Sequence, residues 1–352
     1  MSDNVELTQQ GLVPILFGFA AFQQLRAGAE LGLFELLYER NPLGRKQIAD
    51  ELGLGAHSAD ILLLGTTALG LTTRSDDGYR NGTVVEAMFA DGSWRLLRDV
   101  IEFQARFAYI PATDYVDSLR TGENLGVRHF PGEGRDLYSR LQTDPELSAA
   151  FYRCVNSWSE LVRPVLVDSI DYTEVHRVLD VGCGDAANSI ALAAAHPHLR
   201  ITALDRPAAL EVAARNIAAA GLSDRMRTAP GDMFDDDYPR GHDCILFSHQ
   251  LVIWSPDQNR LLLKKAHDAL EPGGRVIIFN AFSDDDGRGP LYSALDNVYF
   301  ATLPFKGSNL YPWRDYRDWL TECGFEQIRA VPGGTWTPHG VLEGRVAPGA
   351  DR

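Results

Sequence analysis

Apolar positions along the first hundred residues recur at helical spacing. The run Val13–Leu37 reads as helix and carries small residues at Ala20, Ala21, Ala27, Gly28, Ala29 and Gly32, which allow a second helix to approach closely. A helix at Arg45–Leu52, a break at Gly53–Gly55 and a longer helix at Ser58–Leu69 follow. Leu71–Arg80 then alternates around a turn at Asp76–Gly78, as a short β-wing does. Helix, helix and wing together predict a winged helix. Residues 84–165 are helical again, interrupted by Gly122–Gly126 and His129–Gly134, and rich in aromatic residues, Tyr138, Phe151, Tyr152 and Trp158 among them. Most such rings build core; some are suited to line a pocket for a flat molecule.

From Asp171 the period changes. Strands are predicted at His176–Val181, Arg200–Leu204, Arg227–Ala229, Cys244–Ser248 and Arg275–Phe279. Helices are predicted at Asn188–His196, Ala208–Ala220 and Gln258–Leu270. Strands alternating with helices define βαβ units and hence an α/β fold with a mostly parallel sheet. A late helix at Trp313–Cys323 precedes Phe325–Val331 and Gly340–Arg345, which can close the sheet as an antiparallel hairpin.

Composition narrows the function. The 352 residues suit about two domains, and 45% hydrophobic with 23% charged residues is an ordinary globular balance. A formal charge of −15 repels phosphate, which speaks against nucleic acid or an anionic membrane as partner. Cys154, Cys183, Cys244 and Cys323 are scattered, with no zinc spacing, and read as core thiols of a reducing cytoplasm. The start, Met1–Gln10, is polar and does not read as a secretory signal. The apolar stretch Gly11–Phe22 falls short of the ~20 residues a bilayer needs. A cytoplasmic protein is expected.

The chemistry lies after the first long strand. Val178-Leu-Asp-Val-Gly-Cys-Gly-Asp is a buried strand, an acid, then a glycine turn opening a helix, and Gly182 and Gly184 let the backbone pass close to a ligand. A dinucleotide site wants GxGxxG and a helix N-terminus open to pyrophosphate. Here Ala187 holds the third glycine's place, and Asp180 and Asp185 flank the turn. Two carboxylates repel a pyrophosphate and suit a cation. Asp205 ends the second strand, where a carboxylate can accept both hydroxyls of a ribose. Gly231-Asp-Met-Phe after the third strand puts Asp232 and Met233 beside a base. Each acid alone is equally a cap or turn residue; acids at successive strand ends are harder to read that way.

These motifs, with Leu204-Asp-Arg-Pro and Leu270-Glu-Pro-Gly-Gly-Arg-Val, resemble those of class I S-adenosylmethionine-dependent methyltransferases. The chain as a whole, roughly 10–347, resembles their two-domain small-molecule O-methyltransferase family. The resemblance implies a winged-helix-like dimerisation domain over 1–105, a helical linker contributing to the substrate pocket over 106–165, and a Rossmann-like catalytic domain with a seven-stranded sheet over 166–347. It implies S-adenosylmethionine as cofactor, a small aromatic acceptor and a homodimer whose N-terminal helices interlock. Gly182 and Gly184 would line the methionine moiety, Asp205 the ribose, and Asp232 with Met233 the adenine. Asp180, Arg206, Gly231 and Ser248 complete the expected cofactor contacts.

One departure bears on the reaction. The family has His-Asp-Trp after the fourth strand, with the His as general base. In Leu246-Phe-Ser-His-Gln-Leu-Val-Ile-Trp-Ser, Trp254 matches that Trp, so Val252 and Ile253 replace the His and Asp, and Asn280 stands where the supporting acid usually does. A sulfonium is already an activated donor, so alignment and exclusion of water supply much of the rate. A base is needed only when the acceptor arrives protonated. The candidates are His249 and His339, each of which reads equally as a structural histidine. Trp158, Trp254, Asp296, Asn297 and Tyr299 fall where family members line the acceptor pocket. The leading expectation is methylation of an activated ring carbon or a pre-ionised oxygen on a phenolic metabolite. The alternatives are phenol O-methylation with a relocated base, a cofactor-binding protein without transfer, and a winged-helix DNA-binding regulator. Ser58-Ala-Asp-Ile-Leu-Leu-Leu-Gly is acidic and apolar, the wrong chemistry for a groove-reading helix.

Overall fold

The computed structural model describes residues 7–141 and 143–348. The chain divides into two compact units, Met1–Ala105 and Arg106–Arg352.

In the first unit the expected single helix over Val13–Leu37 is three pieces, Val13–Leu16, Gly18–Glu30 and Leu33–Glu39. The chain bends by 65° between Gln10–Leu16 and Gly18–Glu30 and turns again at Leu31–Gly32. The small residues also serve packing within the chain: a Cβ on Gly28 would meet the Phe34 ring at 2.6 Å. Ala27 packs against the unit's own core of Leu33, Leu37, Ile48, Leu62 and Leu63. A run of exposed apolar side chains lies earlier, at Val13, Ile15, Leu16, Phe17 and Phe19. Helices Arg45–Glu51 and Ala56–Ala68 lead into strands β1 (Thr72–Ser75) and β2 (Gly78–Asn81), the antiparallel wing. Among the described residues no single helix is long and apolar enough to cross a membrane. The polar start, Met1–Gln10, lies partly outside them.

The second unit is built on a seven-stranded sheet. Its strands are β3 (Arg177–Val181), β4 (Arg200–Asp205), β5 (Met226–Pro230), β6 (Cys244–Ser248), β7 (Arg275–Ala281), β8 (Phe325–Pro332) and β9 (His339–Val346), in the order β5-β4-β3-β6-β7-β9-β8. β3 to β7 run parallel; β9 enters antiparallel between β7 and β8. Alternate residues of the strands bury opposite faces. Val178, Leu246 and Ile277 pack under helices Pro145–Asp168, Ala187–Ala195 and Pro207–Ala219. Leu179, Ile245 and Ile278 pack under Pro256–Ala269 and Trp313–Glu322. Strand order reverses between β3 and β6, and in such sheets ligands bind outside the carboxyl ends at that point. The antiparallel course of β9 brings its first residue, His339, beside Ala281 at the carboxyl end of β7. All four cysteines are free, three of them buried.

Candidate active site

The turn after β3 follows from its glycines. Gly182 and Gly184 sit at φ 74° and 57°, left-handed backbone that residues with a Cβ disfavour. A Cβ on Gly182 would also overlap Gln250, whose amide donates to the Gly182 carbonyl at 2.7 Å, whereas the space beside Gly184 is open. The Asp205 carboxylate at the end of β4 is aimed by two backbone donors, Gly184 N–H at 2.8 Å and Arg206 N–H at 2.7 Å. Burial raises its carboxyl above the ordinary value, against the pull of those two hydrogen bonds. Gly231 N–H reaches back to the Asp205 carbonyl, placing Asp232 and Met233 next along the same rim. Asp232 closes its own turn by accepting from Phe234 N–H at 2.8 Å.

Asp180 lies apart from this rim. It is 1% exposed and its Oδ2 accepts from the Ser189 hydroxyl at 2.5 Å, while Oδ1 has no partner. Its period places it on the Val178 face, against the helix that follows the turn. Burial pushes its carboxyl up to about 7, and the nearby Asp205 and Asp185 add to the shift. A direct cofactor contact, expected from sequence, does not suit a side chain so enclosed.

The long helix Pro145–Asp168 supplies groups that no sequence motif flags. Arg163 donates from Nε to Asn188 at 3.2 Å, and Asn188 in turn donates to the Ser248 hydroxyl at 2.8 Å. Burial holds the Arg163 guanidinium below its ordinary value. Asn156 donates to Asp185. Tyr152 lies near Asp205, Asp185 and Tyr299, and burial raises its hydroxyl above the ordinary tyrosine value. In the sequence this stretch reads only as helix, with Tyr152 and Trp158 among its aromatic residues.

His249 and His339 meet. His249 follows β6 at φ 55°, its N–H bonded to the Phe279 carbonyl at 2.8 Å and its ring 4.6 Å from the Phe279 ring. The two imidazole centroids are 5.3 Å apart, edge to face. His249 Nε2 is sealed from water without a partner, and His339 Nδ1 stands 3.0 Å from the Thr337 hydroxyl. Burial lowers both below the ordinary histidine value, His249 to about 4, so both are neutral at pH 7.

The expected acceptor residues lie near them. Tyr292 connects Trp158, Trp336 and His339, with centroids at 6.0, 6.1 and 6.4 Å. Tyr299 and Tyr138 are hydrogen-bonded through their hydroxyls. Tyr138 stacks on Phe305, which contacts Trp254. Asp296 lies on the same helix, Leu291–Thr302, between Tyr292 and Tyr299. Asn297 is already engaged, accepting from Leu310 N–H at 2.8 Å. Val252 is buried with Ala281, Phe300 and Leu310, and Asn280 is fully buried, donating to the Tyr316 hydroxyl at 3.4 Å.

A glycine turn at the switch point of a mostly parallel sheet, with acids at successive strand ends, defines the nucleoside-binding site of a class I methyltransferase. Models of the O-methyltransferase domain and of its dimerisation domain match residues 114–326 and 13–91. The chain is 46% identical to the L-tyrosine C(3)-methyltransferase of Streptomyces lavendulae, over 96% of this chain and 92% of that protein. It is 33% identical to the 3-hydroxy-5-methyl-1-naphthoate 3-O-methyltransferase of Streptomyces sahachiroi, over 95% and 94%. Among solved structures it is similar to the apo form of the S-adenosylmethionine-dependent methyltransferase SibL, with 61% identity, a TM-score of 0.89 and coverage of 97% of this chain and 100% of that one. The chain belongs to the O-methyltransferase family and is an S-adenosylmethionine-dependent methyltransferase.

Proposed function

We propose that the enzyme methylates a ring carbon of a small phenolic metabolite, using the neutral pair His249 and His339 in place of the family's usual base. The observation that carries this reading is the exchange of sites. The usual base position, Val252, is packed among apolar side chains, while two imidazoles converge across Phe279. The Streptomyces lavendulae relative, named as a C-methyltransferase, agrees with a carbon acceptor.

The residues present suit the cofactor: the open space at Gly184, the oriented Asp205 carboxylate and the desolvated Arg163 can receive an adenosyl amino acid. Gly182, Gly184, Asp205, Arg206, Gly231, Asp232, Met233 and Ser248 would hold it, with Asp180 setting the turn from behind. When bound, S-adenosylmethionine supplies an electrophilic methyl group on a sulfonium. The protein holds the phenol in line between Trp158, Tyr292 and Tyr299 and keeps water out. As the ring carbon gains its methyl, positive charge spreads over ring and hydroxyl, so both the displaced ring hydrogen and the hydroxyl hydrogen become strongly acidic. A neutral imidazole, though a weak base, is then strong enough to accept a proton. The alternative, O-methylation with these histidines as a relocated base, differs only in the atom presented.

Incubation with methyl-labelled cofactor and a panel of phenols, followed by NMR of the product, tests this. A ring methyl signal is expected; an O-methyl signal overturns the carbon reading, and no transfer to any phenol overturns both. Asp205→Ala should weaken S-adenosylhomocysteine binding by roughly 1.5–3 kcal/mol, the worth of charge-assisted hydrogen bonds; calorimetry showing no change would remove Asp205 from the site.

The dimerisation domain supports a homodimer, with the exposed Val13, Ile15, Leu16 and Phe17 as its contact surface. Leu16→Glu is expected to yield monomer, because a solvated carboxylate is poorly accommodated in an apolar interface. Light scattering at micromolar concentration checks it, and an unchanged dimer moves the interface elsewhere. A cytoplasmic setting, without nucleic acid or membrane as partner, rests on the acidic charge and the free thiols.

A further inference from the structure

Resting on the reading of His339 as a proton acceptor, we propose that Thr335 and Thr337 are positioning residues. Together they lock the His339 imidazole in its Nδ1–H tautomer, so that Nε2 carries the lone pair offered to the phenol.

The assignment follows from counting hydrogens. His339 is buried and opens β9, and the loop before it, residues 333–338, carries the two threonines at intervals of two. The Thr335 hydroxyl donates to the Thr337 carbonyl at 2.9 Å, and a hydroxyl has one hydrogen to give. The two threonine hydroxyls stand 3.0 Å apart, so the hydrogen of Thr337 closes that contact. The Thr337 hydroxyl oxygen is also 3.0 Å from His339 Nδ1, and with its own hydrogen directed at Thr335 it can only accept there. Nδ1 therefore carries the hydrogen. In the other tautomer two hydrogens would have to serve three contacts. Two lone pairs would then face each other beside Thr337, a buried residue, at the cost of an unsatisfied polar group.

The backbone holds this network in place. Pro338 has no N–H to compete for the Thr337 hydroxyl, its carbonyl accepts from Phe282 N–H at 3.1 Å, and Gly333 N–H donates to the His339 carbonyl at 2.9 Å. Among the described residues no hydrogen bond engages His339 Nε2, and the ring of Tyr292 lies 6.4 Å away between centroids. A neutral imidazole takes up a proton only through its bare nitrogen, so the tautomer decides which nitrogen is basic. As the methylated phenol loses its proton, the C–H or O–H bond breaks, its electron pair stays with the product, and an N–H bond forms at Nε2. The positive charge then rests on the imidazolium, whose Nδ1–H bond to Thr337 becomes charge-assisted and stronger. Thr335 and the Thr337 carbonyl polarise in the same sense along the chain.

NMR of the full chain carrying ring-nitrogen-labelled histidine reads the tautomer, because protonated and bare imidazole nitrogens resonate far apart. His339 is the signal missing from His339→Gln. In the wild type at neutral pH it should show a protonated Nδ1 and a bare Nε2. Thr337→Val, of similar shape without the hydroxyl, should release the lock and give a mixture. Thr335→Val, at an exposed residue outside contact with the imidazole, should shift the balance further, because the freed Thr337 hydrogen turns to Nδ1 and favours Nε2–H. Thr337→Ser should keep the wild-type tautomer. Both valine variants should lower kcat for methyl transfer to a phenol about 10-fold, the factor one neutral hydrogen bond is worth, with KM and S-adenosylhomocysteine affinity little changed. A wild-type His339 protonated at Nε2, or valine variants with an unchanged tautomer, overturns the proposal. So does a shifted tautomer with unchanged kcat, which makes the network structural only. Full turnover in His339→Gln removes the reading of this histidine as a base, and the positioning role with it, while the NMR record still shows separately whether the lock exists.

Discussion

Replacing His249 by Asn is expected to lower turnover at least ~100-fold, since removal of a true general base costs 10²–10⁴-fold. Asn is chosen because His249 occupies left-handed backbone at φ 55°, which Asn tolerates better than most residues, so the loss reports the imidazole and not a collapsed loop. His339→Gln should show a loss of the same order, and the double variant little more than the larger single one, because residues acting as a unit are not additive. S-adenosylhomocysteine affinity should barely move in any of them. Burial sets His249 to about 4, so the wild-type rate should persist through pH 6 and fall only as the pH approaches that value and the imidazole is protonated. Two near-normal single variants would exclude histidine base catalysis and leave alignment with desolvation as the source of the rate. Val252→His, which restores the family's residue, should bring no gain: Val252 is buried with Ala281, Phe300 and Leu310, and an imidazole placed there loses its hydration.

Asp180→Asn is expected to change how stability depends on pH. The folded value of about 7 lies above the ~3.9 of an unfolded aspartate. The stabilisation is therefore fully present below about pH 4 and is lost as the pH climbs through 7, because a carboxylate 1% exposed must then carry its charge unsolvated. Three units of difference correspond to at most about 4 kcal/mol. Urea denaturation of the cofactor-free protein between pH 4 and 8 should show wild type losing stability relative to Asp180→Asn by up to that amount. Parallel curves for the two proteins would mean that the Asp180 charge is compensated within the fold. The Ser189 hydroxyl remains available to the Asn carbonyl, so the variant keeps the hydrogen bond that fixes the helix after the turn.

Much of the fold was legible in the sequence because it is local. Strand and helix periods placed β3, β4, β6 and β7 to within two residues, and the Leu179-Asp-Val-Gly-Cys-Gly run marked the turn, since only a close backbone approach at positive φ calls for glycine at both 182 and 184. The hairpin Phe325–Val331 and Gly340–Arg345 was equally visible as alternation, and forms β8 and β9. The broken helix over Val13–Leu37 was not, because apolar spacing continues across the bends and small residues read alike whether they meet a second chain or the Phe34 ring of the same one. The helix Leu291–Thr302 went unpredicted, though its Asp296, Asn297 and Tyr299 were singled out.

What the sequence by itself determined is the cofactor-binding half of the enzyme, where each element follows its ligand-facing turn directly along the chain. Only the tertiary structure decided which side chains meet beside it. His249 and His339 are far apart in sequence, and they meet because β9 runs antiparallel beside β7, returning its first residue to the carboxyl edge of the parallel strands. Arg163 reaches Asn188 from a helix with no motif of its own. Whether an aspartate is exposed to ligand or enclosed is likewise not written in its neighbours. Asp205 ends β4 and Asp180 stands one residue from the end of β3, yet the first is aimed by backbone donors while the second is turned inward against Ser189. Burial and partnership depend on which side chains the fold brings in from elsewhere, and that information is non-local.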